Sequence, residues 1–327
     1  MKAVTKLFLS AIGAVLSVAT PPAASAAEQP YPNKPIRLMV ASSPGGPNDL
    51  VARMIAAPWG ELLGRAIVVD NRAGAAGTIG TEVVARAAPD GYTLLVGFPG
   101  PLIIAPLLND TASYDTSKDF APVSLAVAAP FVLLVHPSVP AKSVKELIAL
   151  ARSRPGKMNY ASGGTGIGSH LAMELLNHVT GTQMVHVPYK GAGPALTALM
   201  AAEVDAFFVA LGTALPHIKT EKVRALALGG EKRFPALPNL PTVSESGYKF
   251  NASSWYGILA PRNTPRAIVS RLHATVTQVV EAPQLKTRLT DMAFEVIGST
   301  PDEFAKIIRE ETAIWSKVIT ATGLKGK

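Results

Sequence analysis

Ile36-Arg37-Leu38-Met39-Val40-Ala41-Ser42-Ser43-Pro44-Gly45-Gly46-Pro47-Asn48-Asp49-Leu50-Val51 joins a strand to a helix through a glycine turn. Ile36, Leu38 and Val40 form an apolar run with strand character, and Ser43, Gly45 and Gly46 stop it. Leu50, Val51, Met54 and Ile55 then repeat with helical spacing, with Pro58 placed to kink that helix and Gly64 to end it. The same succession recurs at Arg72-Ala73-Gly74-Ala75-Ala76-Gly77, at Ser162-Gly163-Gly164-Thr165-Gly166-Ile167-Gly168 and at Lys190-Gly191-Ala192-Gly193-Pro194. A helix start carries unsatisfied N–H groups and partial positive charge, and glycine lets an anion reach that backbone. Any one such turn is equally well explained by tight packing of a strand end against a helix. Four of them point to a protein that grips an anionic small molecule.

Outward from these turns, strand and helix signals alternate, which argues for parallel sheets with helices on both faces. Ile67-Val68-Val69 and Thr93-Leu94-Leu95-Val96 read as strands, with a helix from Thr78 to Ala87 between them. The stretch Val123 to Val135 is almost free of charge and long enough to cross between domains. A second set follows. Ser143-Val144-Lys145-Glu146 is a capping box opening a helix, and Met158-Asn159-Tyr160-Ala161 feeds the third glycine turn. A helix from Ser169 to Thr180 stops at Gly181, Val185-His186-Val187 feeds the fourth turn, and Pro194 sits as a first helical residue. Trp255-Tyr256-Gly257-Ile258-Leu259 is a second crossing strand, Thr264-Pro265 starts a helix, and Thr300-Pro301-Asp302-Glu303 caps the last one. The expected division is a discontinuous first domain, 27–126 plus 251–327, with 127–250 as the second.

The N-terminus bears on location. Lys2 and Lys6, the apolar stretch Leu7 to Ala19 and the small residues Ala24-Ser25-Ala26 read as a secretory signal peptide, 1–26, cleaved near Ala26 into the periplasm. The apolar part is shorter than the roughly 20 residues that a spanning helix needs. With no cysteine in the chain there is no lipid attachment point, disulfide, thiolate or thiolate-held metal. Removing Lys2 and Lys6 takes the formal charge from +8 to +6, and the basic residues are scattered. No nucleic-acid partner is expected, and a monomer is.

Catalytic and cofactor signals are missing. Gly166-Ile167-Gly168-Ser169-His170 places its serine one position late for a nucleophile elbow, and neighbours on one helix point roughly 100° apart. His170, His178 and His186 lack the spacing of a helical zinc pair and read as packed or capped histidines. Ser169 reads as a cap of its own helix. Neither Gly164-Thr165-Gly166 nor Gly191-Ala192-Gly193 continues into a dinucleotide fingerprint, and no glycine run ends in Gly-Lys-Ser or Gly-Lys-Thr. No enzyme activity, cofactor or metal is expected; a secreted hydrolase stays the weaker alternative.

Several ordered motifs carry a resemblance. They include Tyr31-Pro32-Asn33-Lys34-Pro35-Ile36-Arg37, Asp70-Asn71-Arg72-Ala73-Gly74, Pro89-Asp90-Gly91-Tyr92-Thr93-Leu94, Lys118-Asp119-Phe120-Ala121-Pro122-Val123, Tyr160-Ala161-Ser162-Gly163-Gly164 and Val187-Pro188-Tyr189-Lys190-Gly191. With Trp255-Tyr256-Gly257 they span the mature chain, which resembles the Bug, or TctC-like, receptors of tripartite tricarboxylate transporters. The resemblance implies an α/β fold of the type II periplasmic binding protein kind: two domains, two crossing strands, and a cleft that closes on ligand. It implies a carboxylate ligand, membrane transporter subunits as partners, or a sensing role at a membrane receptor through the same pocket. It further implies a grip by Ser43, Gly45 and Gly46, by Gly74, Ala75, Gly77 and Thr78, and by Gly164, Thr165 and Gly166, bordered by Tyr189 and Lys190. Many members carry Phe-Asp-Asn where this chain has Phe208-Val209-Ala210, and polar residues where it has Phe98-Pro99-Gly100-Pro101. Phe98 and Val209 are therefore expected to give the distal cleft an apolar wall, unless neither segment reaches the ligand.

Overall fold

The computed structural model describes residues 31–108 and 113–323. The signal-peptide assignment, 1–26, lies outside the described residues. Among the described residues there are ten strands: β1 (Ile36–Val40), β2 (Ile67–Asn71), β3 (Thr93–Gly97), β4 (Phe120–Val135), β5 (Asn159–Ser162), β6 (Val185–Pro188), β7 (Ala206–Ala210), β8 (Arg224–Leu228), β9 (Ser253–Pro261) and β10 (Glu295–Val296). The helices are α1 (Pro47–Leu63), α2 (Thr78–Ala85), α3 (Ala105–Leu108), α4 (Thr116–Asp119), α5 (Val144–Ser153), α6 (Gly168–Thr180), α7 (Ala192–Met200), α8 (Leu211–Lys219), α9 (Arg266–Glu281), α10 (Pro283–Asp291) and α11 (Pro301–Thr322).

The strands run in the order β2-β1-β3-β9-β4-β7-β5-β6, with β8 and β10 also paired to β4. β1 is parallel to both β2 and β3, and β5 is parallel to both β6 and β7. β4 joins the two groups. From Phe120 to Pro130 it pairs antiparallel with β9, and from Phe131 to Val135 with β7. The handover falls at Pro130, which has no N–H to offer a ladder. β9 lies between β3 and the first half of β4, so the return passage between the groups precedes it. There, Ala252 N–H donates to Gly229 O at 2.7 Å and Gly229 N–H to Phe131 O at 2.7 Å.

Local chemistry sets most boundaries. Pro47 opens α1, Pro58 lies inside it, and Gly64 ends it in the left-handed region at φ 72°. Gly181 stops α6 at φ 64°. Thr300 and Glu303 form a complete capping box. At α5 the reciprocal arm is displaced: Ser143 Oγ accepts from Glu146 N–H, but Glu146 Oε2 accepts from Lys142 N–H, one residue earlier than a strict box requires. α7 starts at Ala192, so Pro194 is its third residue rather than its first; it still lies in the first turn, where an N–H has no helical partner.

Each group of strands is covered by helices on both faces. Val144, Leu147, Ile148 and Ala151 form the buried face of α5. Trp59 Nε1 donates to Thr275 Oγ1 at 2.8 Å, tying α1 to α9, and Trp255 Nε1 donates to Glu311 Oε2 at 2.9 Å, tying β9 to α11. Gly257 has no alternative: a Cβ there would lie 2.2 Å from Phe304 Cζ.

Candidate functional site

Parallel strands put their carboxyl ends side by side, and in open α/β sheets that end is where ligands bind. β1 and β2 therefore deliver the first two glycine turns together. Asn71 Nδ2 donates to Ser42 O at 3.2 Å and Arg72 N–H to Val40 O at 2.9 Å. β5 and β6 deliver the third and fourth, joined by Tyr189 N–H to Ser162 O and Gly191 N–H to Gly163 O, both 2.9 Å. The segment after β3 lies against the second and third turns. A Cβ on Gly77 would lie 2.9 Å from Ala41 O, 3.0 Å from Phe98 Cζ and 3.2 Å from Pro101 Cγ. A Cβ on Gly166 would lie 3.0 Å from Leu108 Cδ1. The second turn thus packs on the end of β1 and on Phe98 and Pro101, and the third turn lies beside Leu108.

Helices α1, α2, α6 and α7 begin at these four turns, so their N-terminal dipoles gather there. Lys190 is exposed, and Arg53 donates through Nε to both Asp49 oxygens. The Arg53 hydrogen bond, ahead of burial, which opposes it, holds the Asp49 carboxyl below its ordinary range.

Within the turns, several amides are already used. Gly45 N–H donates to Asp49 Oδ2 at 2.9 Å, Gly164 N–H to Ser162 Oγ at 3.1 Å and Gly166 N–H to His170 Nδ1 at 3.0 Å. Gly77 N–H donates to Gly74 O and Thr78 Oγ1 to Ala75 O. These groups shape the loops. The N–H groups of Ser43, Gly46, Ala76 and Thr165 donate to none of the described residues. Beside them, Ser42 Oγ and Asn48 Nδ2 are buried with no hydrogen-bond partner among the described residues. A buried polar atom without a partner costs about 1–3 kcal/mol, so two at one turn call for an account.

Two sequence expectations are corrected. Ser169 does not cap its helix, which is entered through Ile167; its buried Oγ accepts from Gly163 N–H at 3.1 Å and so holds the third turn. Val209 does not face the cleft. It is 2% exposed in the core formed with Val132, Leu134, Phe207, Leu196 and Leu199, because the pleat turns it and Phe207 to one face. Phe98 lies beside the second turn, where a Cβ on Gly77 would meet its Cζ at 3.0 Å. Tyr189 borders the third turn, and burial, with Glu203 second, raises its phenol pKa.

Sequence reasoning missed the supports. Asp49, in the first turn of α1, accepts from Gly45 N–H and holds the first glycine turn. Tyr114 OH donates to Pro101 O and Thr116 Oγ1 to Leu102 O, each at 2.6 Å, bracing the π-helical turn Gly100–Ile104. Among the described residues no group of three or more His, Cys, Asp or Glu could hold a metal, and no helix is long and apolar enough to cross a membrane.

Two α/β groups of strands joined through β4 and β9 give the fold of the periplasmic binding protein class. Residues 51–324 match the TctC family, the tripartite tricarboxylate transporter family receptors. Protein BugT of Bordetella pertussis is 34% identical over 307 residues, covering 93% of this chain and 94% of BugT. Rpa4515 of R. palustris, solved with adipate, is 35% identical at a TM-score of 0.76, covering 90% of this chain and 98% of that one. MatC from Rhodopseudomonas palustris, solved with bound malate, is 35% identical at a TM-score of 0.73, covering 88% and 100%. The chain belongs to the TctC family, whose members are periplasmic solute receptors.

Proposed function

We propose that this protein captures an organic carboxylate in the periplasm, closes the lobes 27–126 plus 251–327 and 127–250 around it, and delivers it to a tripartite tricarboxylate-type transporter. The single observation behind this reading is the first turn. Undonated amides at Ser43 and Gly46, the start of α1, and the unpartnered Asn48 Nδ2 and Ser42 Oγ together make a donor-rich recess. A carboxylate supplies the acceptors this recess lacks, and Thr165 N–H and Lys190 complete the grip from the other lobe. Micromolar binding needs about −8.2 kcal/mol. A few charge-assisted hydrogen bonds of roughly 1.5–3 kcal/mol each supply that, after the cost of ordering and closure.

The bound adipate and malate of the two relatives put aliphatic dicarboxylates first in the search. Phe98, with Leu108 beside the third turn, gives the distal wall an apolar character that favours acids without an ammonium group, since a buried ammonium needs a counter-charge. The mature receptor is proposed to start after Ala26 and to act as a monomer. The test is a thermal-shift and calorimetric panel of adipate, malate, glutamate, and monocarboxylic and aromatic acids. Binding of at least one acid, with Asn48→Leu weakening it tenfold or more, supports the reading. No response to any carboxylate, or an unchanged affinity in Asn48→Leu, refutes it.

A further inference from the structure

The third glycine turn is held by two histidines from different elements, His170 of α6 and His186 of β6. His170 on α6 is 2% exposed, and it stacks on His186 of β6 with ring centroids 3.8 Å apart and planes 17° from parallel. The Tyr160 ring of β5 extends the stack, 5.1 Å from His186 and 6.3 Å from His170. Gly166 N–H donates to His170 Nδ1 at 3.0 Å. A nitrogen that accepts carries no proton, so the neutral His170 ring holds its proton on Nε2. Ser162 Oγ is the second support. It accepts from Gly164 N–H at 3.1 Å, donates to Gly164 O at 3.0 Å, and meets His186 Nε2 at 2.6 Å. With the hydroxyl hydrogen on Gly164 O, His186 Nε2 is the donor in the last contact.

The titratable groups that face His170 are His186 from β6 and Tyr160 from β5. The Tyr160 hydroxyl is bonded to the carboxylate of Glu174 on α6. Among the described residues no carboxylate is hydrogen-bonded to either imidazole, so a charge on the rings has no partner. Burial first, and the His186 ring second, push the His170 pKa down to about 4, and burial lowers that of His186.

We propose that His170 is a positioning residue for the ligand grip, and that its stack with His186 makes the binding shape of the 163–168 turn conditional on uncharged imidazoles. The proposal rests on the carboxylate-receptor reading above. With Nε2 already protonated, His170 can gain a proton only on Nδ1, the atom that accepts from Gly166. Two N–H groups would then face each other at hydrogen-bond distance, and the turn must open to separate them. In the open turn the ring regains an ordinary pKa of about 6.5, so acidification favours the open form. The closed turn is fully favoured above about pH 6.5 and loses ground as pH falls towards the depressed value.

The experiment is calorimetry of adipate and malate binding at pH 7.5 and 5.5 with wild type, His170→Leu and His170→Asn, together with ¹⁵N NMR of the wild-type histidines and the Gly166 amide. Asn offers an oxygen near the position of Nδ1 and has no proton to gain. At pH 7.5 His170→Leu should weaken binding at least tenfold, and His170→Asn should stay within about threefold of wild type. Between the two pH values the wild type should lose at least threefold more affinity than His170→Asn, whose ligand protonates identically. NMR should show the Nε2–H tautomer for His170 and a Gly166 amide that titrates with it. Wild-type affinity in His170→Leu, equal weakening in both variants, equal pH losses, or an Nδ1–H tautomer would each overturn the proposal. If the wild type binds neither acid at pH 7.5, that ligand assignment fails. The tautomer and the Gly166 titration then still decide whether His170 holds the turn.

Discussion

Gly77 is the position where the second turn, the end of β1 and the Phe98 wall meet, and Gly77→Ala tests whether that junction is rigid. Two costs follow from the structure. The residue sits at φ 94°, where a Cβ is strained by roughly 1–2 kcal/mol. The new methyl would also lie 2.9 Å from Ala41 O, a backbone atom, and 3.0 Å from Phe98 Cζ, an overpacking that costs about 1–3 kcal/mol. The sum is roughly 2–5 kcal/mol. Gly45→Ala is the control, because φ there is 85° and a Cβ meets nothing within 4 Å; only the strain of about 1–2 kcal/mol applies. At about 2–4 °C per kcal/mol for a chain of this order, thermal melts should separate the two variants by several degrees. Calorimetry should show the larger loss of carboxylate affinity in Gly77→Ala, because either Ala41 O or Phe98 must move. Equal melting temperatures and equal affinities in the two variants would mean that the junction yields freely and that the contact argument is wrong.

Three further outcomes are expected. Val209→Asp should lower the melting temperature sharply, by an amount corresponding to several kcal/mol, since it buries a carboxylate without a partner beside Val132 and Leu196; a stable variant with altered ligand preference would return Val209 to the cleft. Glu311, at the far side of the crossing strands, has its pKa raised to about 7, mainly by burial and against the Trp255 hydrogen bond. The folded state therefore binds a proton that the unfolded chain releases near pH 4.5, and stability falls as pH rises from there through about 7. Glu311→Gln keeps an acceptor for Trp255 and removes the loss, so its melting temperature should exceed that of wild type at pH 8 but not at pH 5. Gly257→Ala should fail to accumulate as folded protein, because Phe304 lies 2.2 Å from the added carbon; near-native far- and near-ultraviolet circular dichroism would contradict this.

The sequence by itself determined the features whose causes are local. Alternation at Ile36, Leu38 and Val40, the stops at Gly64 and Gly181, the Thr300–Glu303 box and the apolar face of α5 each depend on residues within a few positions of one another. The ordered motifs from Tyr31 to Trp255 carried the family for the same reason, being short and contiguous. Tertiary structure decided everything that depends on which distant atoms meet. Whether a glycine N–H is free for a ligand can depend on an acceptor brought from another strand end: Gly163 O takes the N–H of Gly191. The side of the sheet that Val209 faces depends on the register of β7 against β4, which one residue of slip would reverse. His170 and His186 carry no pairing signal in the chain, and they stack only because parallel β5 and β6 set His186 beside Tyr160 while α6 lays His170 across them. A hydrogen bond or a ring contact is fixed within a few tenths of an ångström, and a linear pattern does not specify distances between segments that far apart.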